Sequence, residues 1–137
     1  MNAFPQLERG LSAEIERVVD EASTARQLGS GSVDVLATPE LVRLMEAAAV
    51  AAVAGHLPPA YTTVGVSISV QHLAPTPVGM KFVVSARLGS VQGRRLSFVL
   101  VARDEVEEIG RGEHERVLVK VDDFGARAGR KSPQALG

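Results

Sequence analysis

Hydrophobic and polar positions repeat along this chain with two different periods, and the change of period divides it. Between Thr38 and His56 the spacing is helical: Leu41, Leu44, Met45, Ala48 and Ala52 fall at i, i+3, i+4, i+7 and i+11. Thr38 suits an N-cap, Pro39 fits the first helical position, and Glu40 complements the positive end of the helix dipole. Leu57-Pro58-Pro59 stops the helix, because proline cannot continue the backbone ladder. Beyond Arg43 the polar stripe disappears. From Leu44 to Gly55 every residue except Glu46 is apolar or glycine. A helix apolar all round is expected to be wrapped on most sides. Glu46 then lies inside that wrapping, where it must be hydrogen-bonded, protonated or chemically employed, since an unpartnered buried carboxylate is costly.

After the helix the period becomes two. Tyr61 to Leu73 alternates, with Thr62, Val64, Val66, Ile68, Val70 and His72 on one face and Thr63, Gly65, Ser67, Ser69 and Gln71 on the other. The apolar face is expected to pack on the helix, with His72 at its end. Ala74 to Gly79 reads as a turn; Phe82 to Leu88 and Arg95 to Ala102 read as strands joined through Gln92-Gly93. Glu107 to Gly112 and Glu115 to Val121 form one strand interrupted by glycines, or two. Upstream, Leu11 to Val19 fits a strand, with a short helix as competitor. Residues 1–10 and 126–137 read as loose termini of a single domain spanning 1–137. Gly29-Ser30-Gly31-Ser32, shortly before the helix, is placed where a lid would be. Consecutive strands joined by tight turns predict an antiparallel sheet bent round one buried helix, an α+β architecture. Such a sheet has a free edge, and pairing across a two-fold axis covers it, so a homodimer is expected.

Composition narrows the function. The 137 residues carry a formal net charge of −1, and only 4% are aromatic, with no tryptophan. The charge gives no general electrostatic reason to expect nucleic acid, and the scarcity of aromatic residues argues against base-stacking platforms. The absence of cysteine excludes disulfides, thiolate metal sites and thiol nucleophiles. The longest apolar run is too short to span a bilayer, and the start lacks a basic region followed by an apolar one. A cytoplasmic protein is expected. No phosphate-binding loop, dinucleotide fingerprint or serine nucleophile elbow occurs.

What remains is a carboxylate and an imidazole that can converge where helix meets sheet. Glu46 and His72 together supply a general base, a general acid, or a nucleophile with its orienter. The plainer alternative has Glu46 along a dimer interface and His72 ending a strand at solvent. Thr38 is most simply a cap. Its functional alternative is a hydroxyl near free backbone N–H groups that stabilise an oxyanion. Gly65 marks either a bulge or close approach of a ligand to its N–H. Arg116 and Arg94-Arg95 are candidate anion contacts, although strand and turn arginines are ordinarily solvated. His56 and His114 lack metal-ligand spacing.

In order along the chain, Ala37-Thr38-Pro39, Leu44-Met45-Glu46, Val64-Gly65, Val70-Gln71-His72, Pro75-Thr76-Pro77-Val78-Gly79, Gly93 to Phe98, Asp104 to Gly110 and Gly112 to Arg116 resemble the fluoroacetyl-CoA thioesterase group of hot-dog-fold proteins. The resemblance covers residues 35 to 133 well and the first third weakly. It implies a dimer with a sheet wrapped round a central helix, hydrolysing an acyl-CoA to free acid and CoA without metal or redox cofactor. It also implies Thr38, Glu46 and His72 as catalytic residues, with the Gly65 amide and Arg116 binding substrate. Glu46 would act as nucleophile or general base and His72 as proton shuttle. One departure stands out. The fluoroacetate enzyme carries gating phenylalanines before its helix, whereas Gly29-Ser30-Gly31-Ser32-Val33 has no aromatic residue. A different acyl preference is expected, with a short chain because Val42, Leu44 and Met45 crowd the helix. The alternatives are an acyl-thioester hydratase or dehydratase, and a non-catalytic protein that binds acyl-CoA or a small acid.

Overall fold

The computed structural model describes residues 4–133. Strand β1 (Ser12–Val18) is followed by a one-turn helix α1 (Ala25–Leu28) and the long helix α2 (Thr38–Val53). Strands β2 (Tyr61–His72), β3 (Lys81–Gln92), β4 (Arg95–Asp104) and β5 (Glu108–Lys120) then run in succession to helix α3 (Val121–Gly129). All five strands join one antiparallel sheet in the order β1-β3-β4-β5-β2. β1 and β2 are therefore the outer strands, and α2, which connects them, must cross the sheet from one edge to the other. That crossing makes it the central helix, and the architecture is the α+β hot-dog arrangement expected. Among the described residues no helix is long and apolar enough to cross a membrane.

The helical spacing read from sequence is the core spacing. Leu41, Leu44, Met45, Ala48 and Ala52 are buried, joined by Ala49 and Val53, against Phe82, Val84, Ala86 and Leu88 of β3 and Leu96, Phe98 and Leu100 of β4. Removing each large side chain of this set from water contributes roughly 1.5–3 kcal/mol. β5 is one continuous strand, and its glycines mark close approach. A Cβ on Gly110 would stand 2.9 Å from Leu41 Cδ2.

Four local expectations are corrected. Of the termini expected to be loose, residues 1–3 and 134–137 lie outside the described residues; in the described part of the lead-in Leu7 is buried, and the Gly10 amide donates to the Leu88 carbonyl at 2.7 Å. The tail stays helical as far as Gly129, with Asp122 and Asp123 in the first turn of α3 and Arg127 in the last, each favourable to the dipole. α2 was expected to be wrapped on most sides with Glu46 inside, but one sheet covers one side of a helix and a flank stays open. Val50 is 44% exposed and Ala51 and Ala54 are exposed beside it. Glu46 shares this open flank, with a side chain 46% exposed.

The fourth correction concerns β2, whose alternating residues do not keep to one face. Its pairing with β5 shifts between Gly65 and Ser67, leaving Val66 without an opposite residue and half exposed. Before the shift, Thr63 and Gly65 oppose Leu118 and Arg116; after it, Ile68, Val70 and His72 oppose His114, Gly112 and Gly110. Opposed residues share a face, and these β5 residues are the inward set. One extra residue thus turns Gly65 and His72 to the same side of the sheet.

Candidate active site

The N-cap of α2 is Ala37, which has no capping side chain, so Thr38 is the first helical residue and Pro39 the second rather than the expected cap and first position. Thr38 Oγ1 lies 2.7 Å from His72 Nδ1 at the end of β2. His72 ends β2, as the plainer reading has it, and is partly buried against the Thr38 hydroxyl. Backbone bonds fix both partners. Ala37 N–H donates to the Ser23 carbonyl, Leu36 N–H to that of Thr76, and Leu73 N–H to that of Ile109. His72 Nε2 is buried with no hydrogen-bond partner among the described residues. Burial lowers the His72 pKa from its ordinary value, which favours neutral imidazole. A neutral ring bonded to a hydroxyl can take or return a proton.

A second cluster forms two turns further along α2. Glu46 Oε2 stands 3.6 Å from Arg116 Nη1 and faces the bulge of β2. A Cβ on Gly65 would meet Glu46 Oε2 at 3.2 Å, His114 Cε1 at 3.2 Å and Arg116 Nη1 at 3.3 Å. A side chain here would press these three groups back by a few tenths of an ångström, so glycine lets the carboxylate approach the strand backbone closely. Arg116 is not a solvated surface residue, being 7% exposed. Its Nε donates to Thr63 Oγ1 at 2.9 Å and its Nη2 to the Thr63 carbonyl at 3.0 Å. Burial lowers the arginine's pKa while the Glu46 charge opposes that shift; the guanidinium nonetheless stays charged.

The five sequence candidates thus fall into two groups within one chain, Thr38 with His72 and Glu46 with Gly65 and Arg116. No hydrogen bond links Glu46 to Thr38 or His72 among the described residues. The two-turn separation along α2 is about 12 Å of rise. Two further residues enter the second group, Thr63 and His114. The signal for them was present in the period of two along β5, which puts His114 and Arg116 on the face of Leu118.

A cavity of about 310 Å³ opens beside the first group, lined by Ala25, Ser30, Val35, Leu36, Ala74 and Pro75 along with Thr38, His72 and Leu73. Its walls are mixed, with aliphatic side chains beside the polar Ser30, Thr38 and His72, and it opens to solvent. Leu44 and Met45, expected to limit the acyl chain, are buried in the core and do not line it. A larger hollow lined by Ser69, Gln71, Arg111 and Glu113 does not include Thr38 or His72. A carboxylate, an imidazole–hydroxyl pair and a strand amide opened by glycine are the group types that acyl transfer to water uses, and in one chain they stand in two separate clusters.

Comparison with known proteins agrees with that chemistry. The family model described as FlK, fluoroacetyl-CoA-specific thioesterase, matches residues 19–122. The fluoroacetyl-CoA thioesterase of Streptantibioticus cattleyicolor is 45% identical over 100 residues, 73% of this chain and 72% of that protein. A crystal structure of the fluoroacetyl-CoA thioesterase FlK aligns with a TM-score of 0.84 at 38% identity, covering 93% of this chain and 98% of the other. A thioesterase superfamily member from Thermus thermophilus aligns with a TM-score of 0.84 at 30% identity, covering 90% and 91%. A family model that spans most of the chain, over a fold this similar, makes this protein a member of the fluoroacetyl-CoA-specific thioesterase family.

Proposed function

We propose that this chain is a single-domain, homodimeric acyl-CoA thioesterase of the cytoplasm, releasing a short-chain acid and CoA. The observation that carries the reading is the 2.7 Å contact between Thr38 Oγ1 and His72 Nδ1. It sets a helix-start hydroxyl against a neutral imidazole beside a cavity of acyl size. In the proposed reaction the thioester carbonyl accepts a hydrogen bond from the Gly65 N–H. Glu46 attacks the carbonyl carbon or activates the water that does. As the carbon–sulfur bond breaks, water adds its hydroxyl to the acyl carbon, directly or by opening an anhydride formed with Glu46, and its remaining proton passes by way of His72 to the CoA sulfur, leaving free acid, thiol and a neutral His72. Thr38 orients His72, and Arg116 gives the Glu46 carboxylate a counter-charge and meets substrate at the same edge. The non-aromatic segment 29–33 favours an acyl preference other than fluoroacetyl.

The dimer is supported by the open flank of α2, where Val50, Ala51 and Ala54 are exposed, and by the free edge of β2, where Val66 is half exposed. Thiol release from acetyl-, fluoroacetyl-, propionyl- and phenylacyl-CoA tests the proposal, with wild type run beside Glu46→Gln and His72→Ala. Turnover that disappears in both folded variants supports it, and the panel names the acyl class. A wild type that binds these thioesters but releases no thiol would instead be a binding protein or a hydratase.

A further inference from the structure

The geometry points to His114 as a positioning residue that ties the two flanks of the β2 bulge together through Arg116 and so sets the Gly65 amide and the guanidinium against Glu46. Its bearing on catalysis rests on the thioesterase reading; its bearing on the geometry does not.

His114 is 2% exposed, on the inward face of β5. Its Nδ1 lies 2.7 Å from the Ser67 carbonyl oxygen. A carbonyl only accepts, so Nδ1 carries the proton and donates. The other nitrogen, Nε2, is 3.1 Å from Arg116 Nη1. A guanidinium only donates, so Nε2 is the bare acceptor. The two contacts together require the neutral, Nδ1-protonated tautomer. Burial and the Arg116 charge both resist a second proton, while the Ser67 bond and Glu46 act the other way, and the balance lies below the ordinary imidazole value. Phe98 of β4 packs against the ring, with centroids 6.2 Å apart.

Ser67 lies two residues after Gly65, and Thr63 two residues before it. Arg116 holds Thr63 through two bonds, His114 holds Ser67, and His114 holds Arg116. The chain of bonds closes a clamp over the bulge. With Nε and Nη2 committed to Thr63 and Nη1 bonded to His114, the guanidinium has one orientation, with Nη1 toward Glu46. Without His114 the Ser67 carbonyl and one Arg116 N–H lose their partners together.

The first test uses the wild-type protein, uniformly labelled with nitrogen-15. Long-range proton–nitrogen correlation at neutral pH should show His114, assigned by its loss in His114→Asn, with protonated Nδ1 and bare Nε2. An Nε2-protonated or cationic ring would overturn the proposal whether or not any thioester is hydrolysed. The second test compares variants. His114→Asn keeps a donor for Ser67 but loses the acceptor for Arg116, and should move the Arg116 Nε–H resonance. Its kcat should fall about tenfold with KM changed less than about threefold, and His114→Phe should fall about 100-fold, the scale of a misplaced catalytic group. Wild-type kcat in His114→Asn with an unmoved Arg116 resonance would overturn the role. If His114→Phe does not fold, the spectrum and His114→Asn still decide. An inactive wild type with the expected tautomer and Arg116 shift would remove the thioesterase reading and leave the clamp.

Discussion

A methyl group at Gly65 would press on three site residues at once, and two of them, Arg116 and His114, are pinned by hydrogen bonds. Gly65→Ala is expected to lower kcat roughly 10- to 100-fold by displacing the carboxylate or guanidinium, read by thiol release beside a thermal melt that confirms folding. His72 gives a prediction in pH. Its folded pKa lies below the ordinary imidazole value of about 6.5, so the neutral ring persists to lower pH than in an unfolded chain. Wild-type kcat/KM should hold through pH 6.5 and fall at lower pH, where the ring takes a proton. The same sign governs stability. Between the folded and unfolded pKa values the unfolded state binds more protons at His72 and His114. Stability is therefore fully present above about pH 6.5 and declines as pH falls through the folded values, which melts at pH 7.5 and 5.5 would reveal. At this scale the sequence exposed Glu46, His72 and Thr38 because residue type and spacing carry chemistry. It hid His114 and the burial of Arg116, because a charged or imidazole side chain on a strand looks solvated until its face is known to be the inner one.

The elements were legible wherever hydropathy has a clean period. α2 stands out by its apolar spacing, and its core residues are those the spacing selects. β2 was legible as a strand but not in its facing. Val64, Val66 and Ile68 keep an unbroken apolar alternation, so only Gly65 hinted at the bulge, and a glycine cannot say which way the strand turns after it. The contact between α2 and β5 gives a prediction of its own. Gly110→Ala would set a Cβ 2.9 Å from Leu41 Cδ2 and 3.4 Å from Met45 Cε. It should cost about 1–3 kcal/mol in urea unfolding through overpacking. Leu41→Ala alone should cost about 2–5 kcal/mol as a cavity, and the double variant should lose less than the sum, because the new methyl occupies part of the space vacated.

For the whole molecule, the strand order explains why the helix is central, since a connection between the two outermost strands has no route except across the sheet. That order was inferred only as an antiparallel sheet bent round a helix. What the sequence misplaced was Glu46 under the cover of the helix: the helix was read as wrapped on most sides with Glu46 inside, whereas one chain leaves Val50, its neighbours and half of the Glu46 side chain open. Under the homodimer proposal that flank lies against a second subunit. Val50→Glu combined with Val66→Lys is then expected to sediment as a monomer where wild type sediments as a dimer, and a wild type that sediments as a monomer would sink the proposal. The bulge at Val66 has a consequence for how this family can vary in length. The two halves of β2 are out of phase by one residue, so the stretch from Thr63 to Ile68 is fixed in parity although its composition is free. Losing or gaining a single residue there would turn one half of the strand inside out, sending either Gly65 or His72 to solvent. A change of two would preserve both facings.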